Sequence, residues 1–293
     1  MSDLARTAAR PARASALSRL LHLLLDYPTV ALGGFLLLLV LFAAIFAPWL
    51  GTIDPQKLSA VNRIKPPSAT FWFGADLIGR DVYSRTIYGA RISLLVGFGV
   101  AGFSLVLGLA VGVLSGFVRP IDAVLMRVMD GMMAIPSLLL AIALIALTGA
   151  SLQNVLIAIT ASEIPRVARL SRSVVLSIRE QPFVEAAITV GTRFPLILWR
   201  HILPNTVAPL LVQGTYIFGS AVLTEAVLSF IGAGTPPAVP SWGNMIAEGR
   251  TVFQIAPHIV LYPGIALAIT VLAVNLVGDG LRDALDPRFL KRT

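Results

Sequence analysis

The sequence has no cysteine, and only 13% of its 293 residues are charged. The missing thiols exclude disulfides and cysteine metal sites, and leave the redox compartment unreported. His22, His201 and His258 lie far apart in the chain, so no metal site is expected. Lysine occurs only at Lys57, Lys65 and Lys291, and no G-x-x-x-x-G-K-[ST] phosphate loop is present, so the chain is not expected to hydrolyse ATP. No Ser/His/Asp set or carboxylate pair stands at a usable spacing, and no catalytic residue is assigned. Soluble domains carry about 25% charged residues. This chain is 56% hydrophobic with a mean hydropathy of +0.84, the composition of an integral membrane protein. Its net charge of +8 comes mostly from arginines beside apolar runs. That is the pattern of topology anchors rather than of nucleic-acid binding.

Charges near a bilayer centre cost about 2.5–3.5 kcal/mol on insertion scales, so charge-free runs mark the spans. Six are expected: 31–50, 92–118, about 128–147, about 152–170, about 205–224 and about 257–278. An even number puts both termini on one side. The more basic side holds the N-terminal tail, the arginines from Arg166 to Arg200 and the C-terminal end, and is assigned to the cytoplasm. The expected organisation is a cytoplasmic tail over 1–29, with either an amphipathic interfacial helix or a plain linker at Leu17 to Leu25. A transmembrane domain follows over 30–288 and a cytoplasmic end over 289–293. Within the domain, 51–91 and 225–256 are external loops and 171–204 is a cytoplasmic loop.

Polar residues inside this frame carry the functional expectations. Arg80, Asp81 and Arg85 are expected to form a solvated ion-pair network fixing the start of the second span. Arg127 and Asp130 share a helix face and can pair. Pro136 is expected to kink the third span. Glu163, Arg166 and Arg169 repeat as a charged stripe. Glu225 is expected to end the fifth span on the outer side beside Thr224, and Trp242 to anchor at the interface or line an outer gate. These four, Glu225, Thr224, Pro136 and Trp242, are the candidate pathway or gate residues.

Between the fourth and fifth spans lies EAAITVGTRFPLILWRHILP, 185–204. Pro182 suits a first helical position and Glu185 a first turn. Gly191 suits a C-terminal stop. So short a helix is marginal alone and needs something to lie against.

Residue by residue, this stretch resembles the Glu-Ala-Ala loop of ABC-importer permeases. Glu185, Ala186, Ala187, Gly191, Leu203 and Pro204 match in register, and His201 replaces the usual Ile. Three further runs, at 73–91, 229–245 and 275–288, are similar to the C-type permeases of dipeptide, oligopeptide and nickel importers. The resemblance covers about 25–288, with Ile231 and Ala233 in place of the usual Leu. It implies an all-α type I ABC-importer permease fold in the bacterial inner membrane. It also implies that the six matched residues dock an ATPase, with ATP and Mg bound by the partner and no cofactor on this chain. The implied partners are a second homologous permease, two ATPase subunits or domains, an external substrate-binding protein and membrane lipid. Di- or oligopeptides, glutathione, nickel chelates, opines and antimicrobial peptides all remain open as substrates. The rival readings are an ion-gradient-driven secondary transporter and a non-transporting membrane scaffold.

Overall fold

The computed structural model describes residues 27–285. The expected tail, its candidate helix at Leu17 to Leu25, and the C-terminal end lie outside them. Among the described residues the fold is helical, with a single antiparallel bridge between Ala75 and Asp81.

Helix α1 is Pro28–Ile45, started by Pro28 where its missing amide hydrogen costs nothing. Helix α2, Val82–Phe117, begins earlier than the expected Ile92 because Asp81 caps it, accepting from the Ser84 amide at 2.9 Å. Its 36 residues span about 54 Å at 1.5 Å per residue, well beyond a hydrocarbon core. Part of the helix therefore extends beyond the hydrocarbon core.

The expected continuous third span is not one helix. Helices α3 (Arg119–Met133) and α4 (Ser137–Thr148) meet at a 91° bend. Pro136 does not kink a helix here; it stands extended at the N-cap of α4 (φ −52°, ψ 130°). The proline ring disfavours a helical Ile135, so the chain breaks before it.

Helix α5 is Leu152–Arg179, capped by Ser151 and carried past the expected end at Leu170. Then come α6 (Pro182–Thr189), α7 (Phe194–Ile197), a π-helical turn at Leu198–Ile202 and α8 (Leu203–Phe230). Helix α9 is Trp242–Gly249 and α10 is His258–Leu285. Among the described residues, four segments are long and apolar enough to cross a membrane: α1, α2, Pro195–Phe230 and α10, with the bent α3–α4 pair as a fifth. Helix α5 carries Glu163, Arg166 and Arg169 around its middle and does not qualify by composition.

The core forms where α2, α5 and α8 meet, around Val96, Val100, Ile159, Val167, Ile217, Phe218 and Val222. Lipid is as apolar as leucine, so close packing rather than hydrophobicity must hold such helices together. Small residues permit it. Gly108, Gly112 and Gly116 recur every fourth residue on α2 and face Val167, Ser171 and Val175 of α5. A Cβ on Gly112 would lie 2.8 Å from the Ala168 carbonyl oxygen. Gly112→Leu must therefore push α5 away, and overpacking of this kind costs about 1–3 kcal/mol or more. The expected result is a lower melting temperature of the detergent-purified chain. An unchanged one would show that α2 and α5 do not pack this closely. The flanks of α1 and α2 stay apolar and exposed, as at Phe35, Leu38, Phe103 and Val106, and suit lipid.

Candidate coupling loop and outer polar clusters

Helix α6 is mounted by one face. Val184 is fully buried with Val113 of α2, Val175 of α5, Ile197 of α7 and Ile202 of the π turn. Glu185, Ala186, Ile188 and Thr189 are exposed, and Ala187 is half-buried. The helix ends in a Schellman turn: the Gly191 amide donates to Ile188 O at 2.9 Å and the Thr192 amide to Ala187 O at 3.0 Å. That turn needs a left-handed residue, and Gly191 has φ +81°. Leu203 and Pro204 open α8, half-buried and exposed respectively. His201 lies in the π turn, its ring 5.9 Å from that of Phe183. The six matched residues thus belong to one surface-mounted unit whose outer side also exposes Phe183, Val190 and Trp199.

Beside it is a cavity of about 450 Å³ lined by Arg119, Asp122, Arg172, Arg179, Glu180 and Glu185. Its wall is tied by ion pairs. The Arg172 guanidinium donates to both Asp122 carboxylate oxygens at 2.5 and 2.6 Å, joining α5 to α3. Asp130 takes Arg169 at 2.6 Å, not the expected Arg127. Glu163 takes Arg166 at 3.4 Å, so the expected stripe is divided between two partners.

Asp122→Asn removes the charge that both bonds from Arg172 depend on and should cost up to about 1 kcal/mol, given the pair's partial exposure. An unchanged melting temperature of the purified chain would show that this pair does not tie α5 to α3.

At the opposite end the charges are buried, contrary to the expected solvated network. Asp76 accepts from Arg80 Nε at 2.6 Å and from Arg85 Nη1 at 3.0 Å. Glu248 of α9 accepts from Arg80 Nη2 and faces Arg85 Nη2 at 3.4 Å. The Arg85 side chain is 1% exposed and that of Asp76 3%. Asp81 serves as the α2 cap instead of pairing with arginine. Burial pushes the Glu248 carboxyl up, Arg80 pulls it down and Asp76 pushes it up again, with the net shift upward.

Glu225 does not end its helix, which runs on to Phe230. It is fully buried, and its Oε1 accepts from Ser229 Oγ at 2.8 Å. The Thr235 amide donates to Ser229 Oγ, and Asn244 Nδ2 donates to Thr235 O at 3.0 Å, which closes the loop between α8 and α9 over Glu225. Trp242 is buried rather than interfacial, with Nε1 donating to Thr86 O at 2.9 Å. Glu225 and Trp242 therefore belong to the same α8–α9 junction. Thr224 is half-buried, and adjacent helical residues do not share a face. Pro136 belongs to the separate α3–α4 bend.

The sequence reading missed Asp76, Asp122 and Glu248 as ion-pair partners, and Val184 as the anchor of α6. Arg80 and Glu248 are 168 residues apart, a separation that no local periodicity reports. Val184 had a usable signal: it is the apolar residue of the α6 turn directly before Glu185.

The described residues make up a helical membrane protein that mounts a short, exposed helix between two long ones. Residues 104–291 match the family model of the binding-protein-dependent transport system inner membrane component, and the chain belongs to that family. It is similar to a probable peptide ABC transporter permease of Sinorhizobium fredii, 52% identical over 91% of each chain. A di/tripeptide transport system permease of Pseudomonas aeruginosa is 43% identical over 88% of each. The fold is similar to that of the inward-facing methionine ABC transporter (TM-score 0.59, 22% identity), covering 69% of this chain and 96% of that one. The chain is a permease of the ABC-importer kind in the bacterial inner membrane.

Proposed function

We propose that this chain is one permease of an ATP-driven importer of di- or oligopeptides or related small solutes. It forms half of the pathway with a second homologous permease. Residues 30–288 make the membrane domain, crossing six times through α1, α2, the α3–α4 pair, α5, α8 and α10, with both termini cytoplasmic. Glu185, Ala186, Ala187, Gly191, Leu203 and Pro204 dock an ATPase subunit or domain, one of two in the complex, where ATP and Mg are bound. An external binding protein delivers the solute. Glu225, Thr224, Pro136 and Trp242 are assigned to the pathway or its outer gate.

The observation that carries this reading is the mounting of α6. Val184, with Ala187 packed beside it, pins it to the ends of α2 and α5, while Glu185 and Ala186 stay exposed. Small side chains let a partner's backbone approach closely, and the buried pin lets force on that face reach two long helices. The peptide class is supported by the names of the similar permeases.

A mild-detergent pull-down of the tagged chain from its native membrane, with partners identified by mass spectrometry, tests the proposal. Recovery of a second permease with phosphate-loop ATPases is expected. Recovery of the chain alone, under conditions that keep other membrane complexes intact, would overturn it.

A further inference from the structure

Two faces of α5 differ sharply in chemistry. One is apolar: Leu156, Ile157 and Ile164 form an open groove with Phe103 and Leu107 of α2, and it suits lipid chains. The other carries Glu163 and Arg166 towards α8. Arg166 stands midway along α5 and Tyr216 midway along α8, so both lie at depth if these helices cross the membrane. The Arg166 side chain is nevertheless 40% exposed. A charge at that depth is costly in hydrocarbon, and such residues face the bundle interior or a water-filled cavity. Nor does Arg166 reach for the cytoplasmic surface. Its guanidinium turns back to Glu163, one turn deeper along α5, and lies over the Tyr216 ring at 5.2 Å from the centroid.

These contacts leave the guanidinium under-used. Its approach to Glu163 is a long 3.4 Å, and a guanidinium carries five N–H donors. A second idle donor lies close by. Gln213, one turn from Tyr216 on α8, has its Nε2 buried without a hydrogen-bond partner. An amide left so costs free energy until an acceptor arrives. Gln213 and Leu170, the latter one turn on from Arg166, both line a cavity of about 550 Å³ that ends at Arg282 of α10. No carboxylate lines it. Donors on both walls and no acceptor charge between them favour a group that only accepts, and an ionised carboxylate offers two such oxygens.

We propose that Arg166 and Gln213 form a site for the carboxylate of the carried solute at the seam between α5 and α8. Glu163 and Tyr216 are positioning residues that hold the guanidinium over the seam. This rests on the importer reading above and adds what the pathway recognises, the anionic end of the solute.

The test uses the whole transporter in proteoliposomes with the binding protein recovered in the pull-down. Uptake of trialanine is compared with uptake of trialanine amide, which lacks the terminal carboxylate. The binding protein is the same throughout, so its own preference cancels when the acid-to-amide ratio of a variant is divided by that of wild type. For Arg166→Gln we expect this ratio to fall about tenfold, because a charge-assisted hydrogen bond is lost. Arg166→Lys keeps the charge and should hold most of the ratio, while Gln213→Leu should lower it about threefold. If Arg166→Gln leaves the ratio at the wild-type value, whether uptake is kept or both rates fall alike, the arginine is structural and the site is overturned. Vesicles with and without phosphatidylglycerol separate the solute from a lipid phosphate. If the variants alter only the dependence on that lipid, the donors hold a headgroup and the proposal falls. If wild type takes up neither peptide form, the importer reading fails first and takes this inference with it.

Discussion

Gly191→Val should abolish stable association with the ATPase while leaving the amount of chain in the membrane unchanged. Gly191 has φ +81°, and for a β-branched residue that conformation is an outlier. Left-handed backbone costs an ordinary L-residue about 1–2 kcal/mol before the two Schellman hydrogen bonds are counted. No atom stands within 4 Å of where a Cβ would go, so the effect is conformational and not a clash. The chain would leave α6 by another path, and α7 and the π turn would shift with it. Since 1.4 kcal/mol is tenfold in an equilibrium, association should weaken at least about tenfold. Insertion should be unaffected, because the turn lies outside the long apolar helices. Gly191→Asn is the control, as Asn tolerates the left-handed region and should retain most binding. If the Val variant recovered the ATPase as well as wild type, the docking role of this unit would be lost.

Asp76→Ala should be the most destabilising single change in the Asp76–Arg80–Arg85–Glu248 cluster, at about 3–5 kcal/mol. Asp76 accepts from both arginines of the cluster, and from the Ile78 and Arg80 amides as well. Removing it leaves two buried guanidinium groups sharing Glu248. Arg85, already 1% exposed at the side chain, has no route to water. Glu248→Gln should cost distinctly less. Burial already opposes the Glu248 charge, its side chain is 24% exposed, and the amide oxygen can still accept from Arg80. Thermal unfolding of the purified chain and protease cutting within 51–81 would measure both variants. Equal effects, or a larger one at Glu248, would mean that Asp76 is not the centre of the cluster.

Local chemistry made much of this legible in the sequence. Charge-free runs located the apolar helices because a membrane tolerates few charges. Pro182 and Gly191 marked the ends of α6 because each acts through its own backbone. Such signals need no partner. What only the tertiary structure decided was which charge meets which. Arg80 and Arg85 were visible, but their partners Asp76 and Glu248 come together only when α9 folds back over the start of α2. Asp130 chose Arg169 on α5 over Arg127 on its own helix, since side-chain reach across a packed pair depends on helix placement. Pro136 was marked as a disturbance, yet the 91° turn depends on α4 packing along α5. Glu225 and Trp242 were read as outer-edge residues because sequence gives position along a helix but not what covers it. The loop that closes over Glu225 is held by Ser229, Thr235 and Asn244, contacts that exist only once α8 and α9 are side by side. Position along the chain was thus fixed by composition and backbone chemistry. Burial and pairing were fixed by packing, because each depends on atoms far away in sequence.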